Sequence, residues 1–290
     1  MTTFLQYVVN GIMSGGVYSL IALGIVLIYK SSSVFNFAIG EMVMLGAFFM
    51  WTFLDVLGLH FLISIFLSVL ACALVGFLMQ RLSIQPLIGQ PILSAILVTL
   101  GLSHILSGLS MLVWGGTSER LSGALPGKPI FIGGVVIPHD LLWCFVATVI
   151  IFLFFTLFYK YTNLGLAMRA VAEDHMVAQA RGVNVRKIFA AVWMLAGIIA
   201  SVGGILLGYR LGITQFLAIL GLKAFPAVLF GGIESIAGAF VGGIVVGLLE
   251  SLAGGYIAAW LMETSPYIVL LLVLIFRPEG LFGLKIIERI

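Results

Sequence analysis

Residues 4–29 read FLQYVVNGIMSGGVYSLIALGIVLIY, a stretch with no charged side chain. A helix needs about 20 apolar residues to cross the ~30 Å hydrocarbon core of a bilayer. A cleavable secretion signal has a shorter apolar segment, roughly 7–15 residues, that follows basic residues. Residues 1–3 contain no basic side chain. The stretch is therefore predicted to be a retained membrane helix.

The composition of the whole chain points to lipid as its main solvent. Of its 290 residues, 62% are hydrophobic and 9% are charged, and the mean hydropathy is +1.25. Soluble domains have about 25% charged residues, so too few charges are present to cover a water-facing surface. The net charge of +3 comes with no basic stripe, which argues against a nucleic-acid partner. Cys72 and Cys144 lie in apolar runs and are interpreted as small buried side chains.

Further apolar stretches predict an all-α polytopic membrane protein with eight or nine membrane segments, in one domain over residues 1–290. The segment 214–233 is apolar, but Lys223, Pro226 and a Gly-Gly pair interrupt it, so a broken or re-entrant helix is expected. Irregular backbone at membrane depth requires surrounding protein or a water-filled cavity. The predicted spans after the first are 34–54, 60–80, 92–114, 139–160, 188–209, 235–255 and 256–276.

Two longer connections lie outside the predicted spans. Residues 115–140 are rich in Gly and Pro, and 129–137 read as two short strands around Gly133-Gly134. Residues 161–187 are the most polar part of the chain and carry several Lys and Arg residues. Because cytoplasmic loops concentrate these residues, 161–187 is predicted to be cytoplasmic, which places 115–140 and the N-terminus in the periplasm. The basic C-terminal residues also favour the cytoplasm, and this requires 214–233 to cross.

Small residues recur every four positions on several predicted helices. In lipid, such stripes let helix backbones approach closely, and dispersion contacts then hold the helices together. A tightly packed bundle explains these residues without a ligand. The residues assigned to helix packing are Gly11, Gly15, Ala200, Gly204, Gly208, Gly243 and Gly247.

Residues 165–181 are rich in Ala, Met and Arg, which favour helix. The sequence predicts one short helix here, with Asn163 as its N-cap and Gly182 at its end. Arg169 and Glu173 are four residues apart, a spacing that allows an ion pair. This helix is either a solvated connector between two spans or a docking element for a partner.

The sequence of this loop resembles that of a known family. TNLGLAMRAVAED at 162–174 and ARGVNV at 180–185 are similar to the ATPase-coupling loop of branched-chain amino acid ABC permeases. Four further stretches of the chain resemble the same family, and they occur in the same order. The resemblance is to the shorter of two paired permeases. It implies a second homologous permease, two cytoplasmic ATPases and a periplasmic binding protein, in the inner membrane of a bacterium. The other matching stretches are 10–20, 35–47, 221–232 and 276–282.

The resemblance implies a branched-chain amino acid as substrate, although related permeases move urea, short amides or aromatic acids. The chain departs from the family at 231–238, GGIESIAG, where the usual proline is absent. It contains no phosphate-binding Gly-x-x-x-x-Gly-Lys-Ser/Thr motif, so ATP hydrolysis is expected on partner subunits. No enzyme active site, cofactor or metal site is predicted. The residues expected to contact the ATPase are Arg169, Ala172, Glu173, Met176, Ala180 and Gly182.

Polar residues in the predicted spans are candidates for the translocation path. The candidates are Asn10, Asn36 and Glu41. Polar side chains are unfavourable in lipid, and a charge there costs at least ~2.5–3.5 kcal/mol by insertion scales. These residues are therefore expected to face a cavity or a partner. Asn36 and Glu41 are about 140° apart on a regular helix, so both cannot point the same way. Structural hydrogen bonding is the alternative role for them. Glu41 and the broken segment also suit an ion-coupled carrier, against which the polar 161–187 loop argues.

Overall fold

The computed structural model describes residues 2–87, 89–121, 129–277 and 279–283, which are almost entirely helical. The hairpin strands are β1 (Ile130–Ile132) and β2 (Val135–Ile137). The helices are α1 (Thr2–Ser32), α2 (Ile39–Trp51), α3 (Phe61–Met79), α4 (Ile92–Trp114), α5 (His139–Tyr161), α6 (Asn163–Glu173), α7 (His175–Ala180), α8 (Val185–Leu211), α9 (Leu217–Leu222), α10 (Ala224–Gly231), α11 (Ile236–Tyr256) and α12 (Leu261–Phe276).

Within these described ranges, seven helical spans are long and apolar enough to cross a membrane. Five of them are single α-helices, namely α1, α4, α5, α8 and α11. The sixth is α2 with its π-helical continuation Thr52–Val56. The seventh is α3, which continues as π-helical Gln80–Ile84 and then 3-10 Gln85–Leu87. Shorter apolar helices occupy Leu217–Gly231, which is broken at Lys223, and Leu261–Phe276. The predicted all-α polytopic class is confirmed, together with the hairpin around Gly133-Gly134.

The predicted spans 235–255 and 256–276 are adjacent, whereas the structure separates the two helices. Helix α11 ends at Tyr256, close to the predicted boundary, but α12 begins only at Leu261. A Cβ added at Gly255 would overlap the ring of Tyr7. Gly255 therefore allows α1 to lie against the last turn of α11, and the chain reverses after it through residues 257–260.

The two ends of α1 define two faces of the bundle. Near its start, Gln6 Nε2 donates to Val136 O (2.6 Å), and Val136 N donates to Gln6 Oε1 (2.7 Å). Near its end, Lys30 Nζ donates to Glu234 O (3.1 Å). At 1.5 Å per residue, Gln6 and Lys30 are about 36 Å apart. We call the end with the β1–β2 hairpin the hairpin face, and the end with Lys30, α6 and α7 the loop face.

The broken segment connects these two faces. Helix α8 follows α7 at the loop face and ends near Ile213, whose backbone pairs with Glu119 (N–O distances 2.8 and 3.0 Å) in the connection between α4 and the hairpin. Helices α9 and α10 then lead back to Glu234, which binds Lys30 at the loop face. Residues 281 and 282 also lie there, since their N–H groups donate to Phe230 O and Gly231 O. The beginning and end of the described chain are thus on opposite faces.

Helix α1 runs through the centre of the bundle, and residues 20–26 and Ile28 are fully buried. It packs antiparallel to α11, with Gly11 beside Leu248 and Gly15 beside Ile244; a Cβ at Gly11 would lie 2.8 Å from Leu248 Cα. The interior also contains Ala200, which is fully buried. Four other predicted packing residues lie at close helix contacts: Gly243 and Gly247 against α1, and Gly204 and Gly208 against α2.

Candidate functional site

The 161–187 loop forms two helices rather than the one predicted over 165–181. The Thr162 hydroxyl, not Asn163, caps α6 by accepting from Gly165 N (3.0 Å). Helix α6 then stops at Asp174, whose backbone is extended and whose carboxylate accepts from Met176 N (2.7 Å) and Val177 N (2.9 Å). An aspartate that binds the N–H groups two and three residues ahead starts a new helix. The chain therefore changes direction at Asp174.

Helix α6 is fixed to the bundle by its apolar underside. Gly165, Met168 and Val171 are buried, and a Cβ at Gly165 would overlap the Tyr159 carbonyl. Arg169 donates to that same carbonyl, and its guanidinium lies 5.6 Å from the centre of the Tyr159 ring. The ion pair with Glu173 that the spacing allows is not formed among the described residues, because Arg169 is directed at α5.

Helix α7 is tied to α1 and α8. The His175 ring is within hydrogen-bond distance of Ser31 O (3.1 Å) and packs edge-on against Phe189, with ring centres 5.4 Å apart. Ala178 is buried beneath the helix. Any displacement of α7 would thus act on the ends of two core helices.

The outer side of α6 and α7 presents apolar side chains to solvent. Met176 is 81% exposed, and Leu166 and Val177 are more than half exposed. Of the residues predicted to contact the ATPase, Glu173, Met176, Ala180 and Gly182 are exposed, whereas Arg169 and Ala172 are partly buried. We define the coupling ridge as Leu166, Glu173, Met176, Val177 and Ala180. Beside it, a cleft of about 560 Å³ lies between α7 and the start of α8.

The structure does not bring the three predicted path residues together. Asn36 is buried and caps the turn before α2, with Oδ1 accepting from Ala38 N (3.0 Å) and Nδ2 directed at Met42 Sδ (3.5 Å). Asn10 accepts from Gln6 Nε2 (3.2 Å) near the hairpin face. Glu41 lies between α2 and α4, where Oε1 accepts from Ser103 Oγ (2.7 Å). In the part of the chain that the structure describes, Oε2 of this buried glutamate has no hydrogen-bond partner.

A buried ion pair was missed by sequence reasoning. Lys223, at the junction of α9 and α10, places Nζ 2.9 Å from Oε1 of Glu250 in α11. The two residues are 6% and 2% exposed, and Tyr18 of α1 is a neighbour of Glu250. The sequence did contain a signal, one lysine in an apolar segment and one glutamate in another. Charges at membrane depth pair with each other, so two such residues could have been predicted to form a pair. The pair joins the broken segment to α11.

Comparison with known proteins identifies the family. The family described as "Branched-chain amino acid transport system / permease component" matches residues 7–276. The chain belongs to this permease family. The permease is 33% identical to the high-affinity branched-chain amino acid transport system permease protein BraD of Pseudomonas aeruginosa, over 99% of this chain and 98% of the relative.

Two other comparisons extend this result. LivH of Escherichia coli, a protein with the same description, is 29% identical to the permease over 99% of this chain and 98% of the relative. The solved structure of PsaBC from Streptococcus pneumoniae in complex with Fab has a similar fold, with a TM-score of 0.50 at 18% identity. That match covers 96% of the permease and 93% of the PsaBC chain.

Proposed function

We propose that the permease is the shorter membrane subunit of an ATP-driven importer and that it forms, with a second permease, the path for a branched-chain amino acid. The described functions of BraD and LivH support this substrate class. The observation that carries the mechanism is the coupling ridge, an exposed and mainly apolar surface, with one carboxylate at Glu173, on a pair of helices anchored to the core. The whole chain acts as one permease domain.

The coupling ridge is suited to a groove on an ATPase. Apolar side chains such as Met176 and Val177 lie outside the membrane spans, where water would otherwise surround them, and burying them in a partner is favourable. ATP is bound and hydrolysed on two such partners. Their movement would press on α7 and pass through His175 and Phe189 to α1 and α8.

A second permease is proposed to pack on α4. Only 11% of this span is buried within the chain. Its outer side includes Gly101, His104 and Gly108, and a Cβ at either glycine would meet nothing within 4 Å among the described atoms. An imidazole facing lipid is unfavourable, and exposed glycines permit close approach of another helix. Glu41 and Ser103 lie just behind this side, which places a polar group next to the interface.

The loop face is proposed to be cytoplasmic and the hairpin face periplasmic. Arg169, Arg181, Arg186 and Lys187 all belong to the loop-face connection, which agrees with the excess of basic residues in cytoplasmic loops. A periplasmic binding protein would then deliver substrate to the hairpin face of an inner-membrane complex.

Reconstitution of the permease with its partners tests the proposed function. Leucine uptake into proteoliposomes is expected to require ATP and binding protein and to be blocked by vanadate. Valine and isoleucine should compete with leucine, whereas urea, short amides and aromatic acids should not. Uptake driven by an ion gradient in the absence of ATP would contradict the proposal and favour an ion-coupled carrier.

A further inference from the structure

An open groove of about 910 Å³ runs along the outside of the bundle between α5 and α11. Its walls are mainly apolar, and the rings of Phe152 and Phe240 lie 5.0 Å apart within it. Ala237 and Leu153 are exposed on its two sides. Its lining residues on α5 extend from Val149 to Lys160, about 17 Å at 1.5 Å per residue, so the groove is long and apolar enough to receive part of an acyl chain.

The loop-face end of this groove is positively charged, unlike its apolar walls. Lys160 and Arg169 are among the residues that line it, and both carry positive charge. Lys160 is exposed and lies at the last turn of α5, where a membrane headgroup region would begin. A third cation, Lys30, has its Nζ 5.8 Å from the centre of the Tyr159 ring.

Tyr159 provides a second indication of a ligand at this end. Tyr159 is one of the residues that line the groove and is only 6% exposed, and its buried hydroxyl has no hydrogen-bond partner among the described residues. Buried hydroxyl groups are normally paired, since leaving one unpaired destabilises the fold. A hydrogen-bond acceptor bound beside Lys160 would satisfy it.

We propose that this groove is a binding site for an anionic phospholipid. The phosphate would accept from Lys160, Arg169 and the Tyr159 hydroxyl, while an acyl chain would cover Phe152 and Phe240. Basic pockets between membrane helices at a headgroup surface bind anionic lipids in this way. A free phosphate would leave the apolar walls uncovered, and an apolar helix would leave the cations without a counter-charge. The site does not depend on the transport proposal.

Native mass spectrometry of the full chain in detergent tests the site, with equimolar dioleoyl phosphatidylglycerol and dioleoyl phosphatidylcholine as probes. Wild type is expected to retain phosphatidylglycerol preferentially. Lys160→Gln should cut that retention about fivefold, the factor that one basic residue contributes to anionic-lipid binding. Lys187→Gln, which removes an exposed lysine from the same face, should leave it unchanged.

A bulky side chain in the apolar part of the groove distinguishes binding of a whole lipid from binding of a free phosphate. Ala237→Trp is expected to reduce retention of both lipids, and Val241→Phe serves the same purpose if the first variant does not fold. Glycerol phosphate should not displace the bound lipid. Equal retention of the two lipids by wild type, full preference in Lys160→Gln, or displacement by glycerol phosphate would each overturn the proposal.

Discussion

At the scale of single residues, the Lys223–Glu250 pair is the feature with the largest expected effect. Lys223→Met removes the charge that lies 2.9 Å from the Glu250 carboxylate. This carboxylate, on a residue that is only 2% exposed, then has no counter-charge. Breaking a buried pair on one side costs about 3–5 kcal/mol, whereas replacing both partners by apolar residues is often close to neutral. We therefore expect a marked fall in the thermal unfolding midpoint of Lys223→Met in detergent. Lys223→Met/Glu250→Leu should recover most of it, and a midpoint equal to wild type in the single variant would contradict this role.

The sequence locates unusual polar residues in the membrane spans, but it does not identify the residues that they contact. The sequence identified Glu41 as an unusual intramembrane charge, but its partner Ser103 is 62 positions away and no local pattern relates them. Asn36 was assigned to a span, whereas α2 begins at Ile39 and Asn36 caps the turn before it. A polar residue in an apolar run can be located from sequence, but its partner depends on tertiary packing.

At the scale of elements, Asp174 determines the shape of the coupling ridge. Its carboxylate accepts two backbone N–H bonds at the start of α7, and loss of an N-cap costs about 0.5–2 kcal/mol. Asp174→Ala is expected to speed hydrogen exchange in residues 175–181 while leaving α6 protected. Thr162→Ala, which removes the cap of α6 instead, is the matched control and should do the reverse. Unchanged exchange in Asp174→Ala would show that the cap does not hold α7.

Glycine packing between helices gives a second prediction at this scale. A Cβ at Gly204 would overlap the Val43 carbonyl of α2, whereas one at Gly108 would meet no described atom within 4 Å. Gly204→Leu should destabilise the isolated chain by roughly 1–3 kcal/mol or more, and Gly108→Leu should not. In a pull-down with the second permease, Gly108→Leu should instead lose binding. Equal thermal stability of Gly204→Leu and wild type would show that this contact contributes nothing.

At the scale of the whole molecule, the sequence predicted the all-α polytopic class, because bilayer thickness imposes long apolar runs, and it also predicted the hairpin. Of the eight or nine predicted segments, seven are long enough to cross a membrane within the described residues, and two are shorter apolar helices. The sequence could not decide whether 214–233 crosses, since a lysine and a proline obscure the run. The contacts of Ile213 with Glu119 and of Glu234 with Lys30 place its ends on opposite faces. The break of the loop at Asp174 was also missed, because the helical composition of 165–181 outweighed one capping residue.

Which face is cytoplasmic is open to direct test. Cys72 and Cys144 are buried and can be replaced to give a cysteine-free background. In that background, Phe131→Cys in the hairpin, where the phenyl ring is 71% exposed, should react with an impermeant thiol reagent in intact spheroplasts. His175→Cys should react only in inverted vesicles. The reverse result would place the coupling ridge in the periplasm and exclude a cytoplasmic ATPase as its partner.

The central claim is that the coupling ridge transmits ATPase movement to the membrane helices, and Met176→Glu tests it most directly. Met176 is 81% exposed, so a glutamate is tolerated by the chain itself but would be buried unpaired in an apolar groove. Loss of a hot-spot contact of ~2 kcal/mol corresponds to about 30-fold weaker binding. In proteoliposomes containing the complete complex, leucine uptake and substrate-stimulated ATP hydrolysis should both fall, by up to this factor when the ATPase is limiting. Asn163→Glu adds the same charge at an exposed site off the ridge and should behave as wild type. Normal uptake by Met176→Glu would contradict the claim and leave α6 and α7 as a connector.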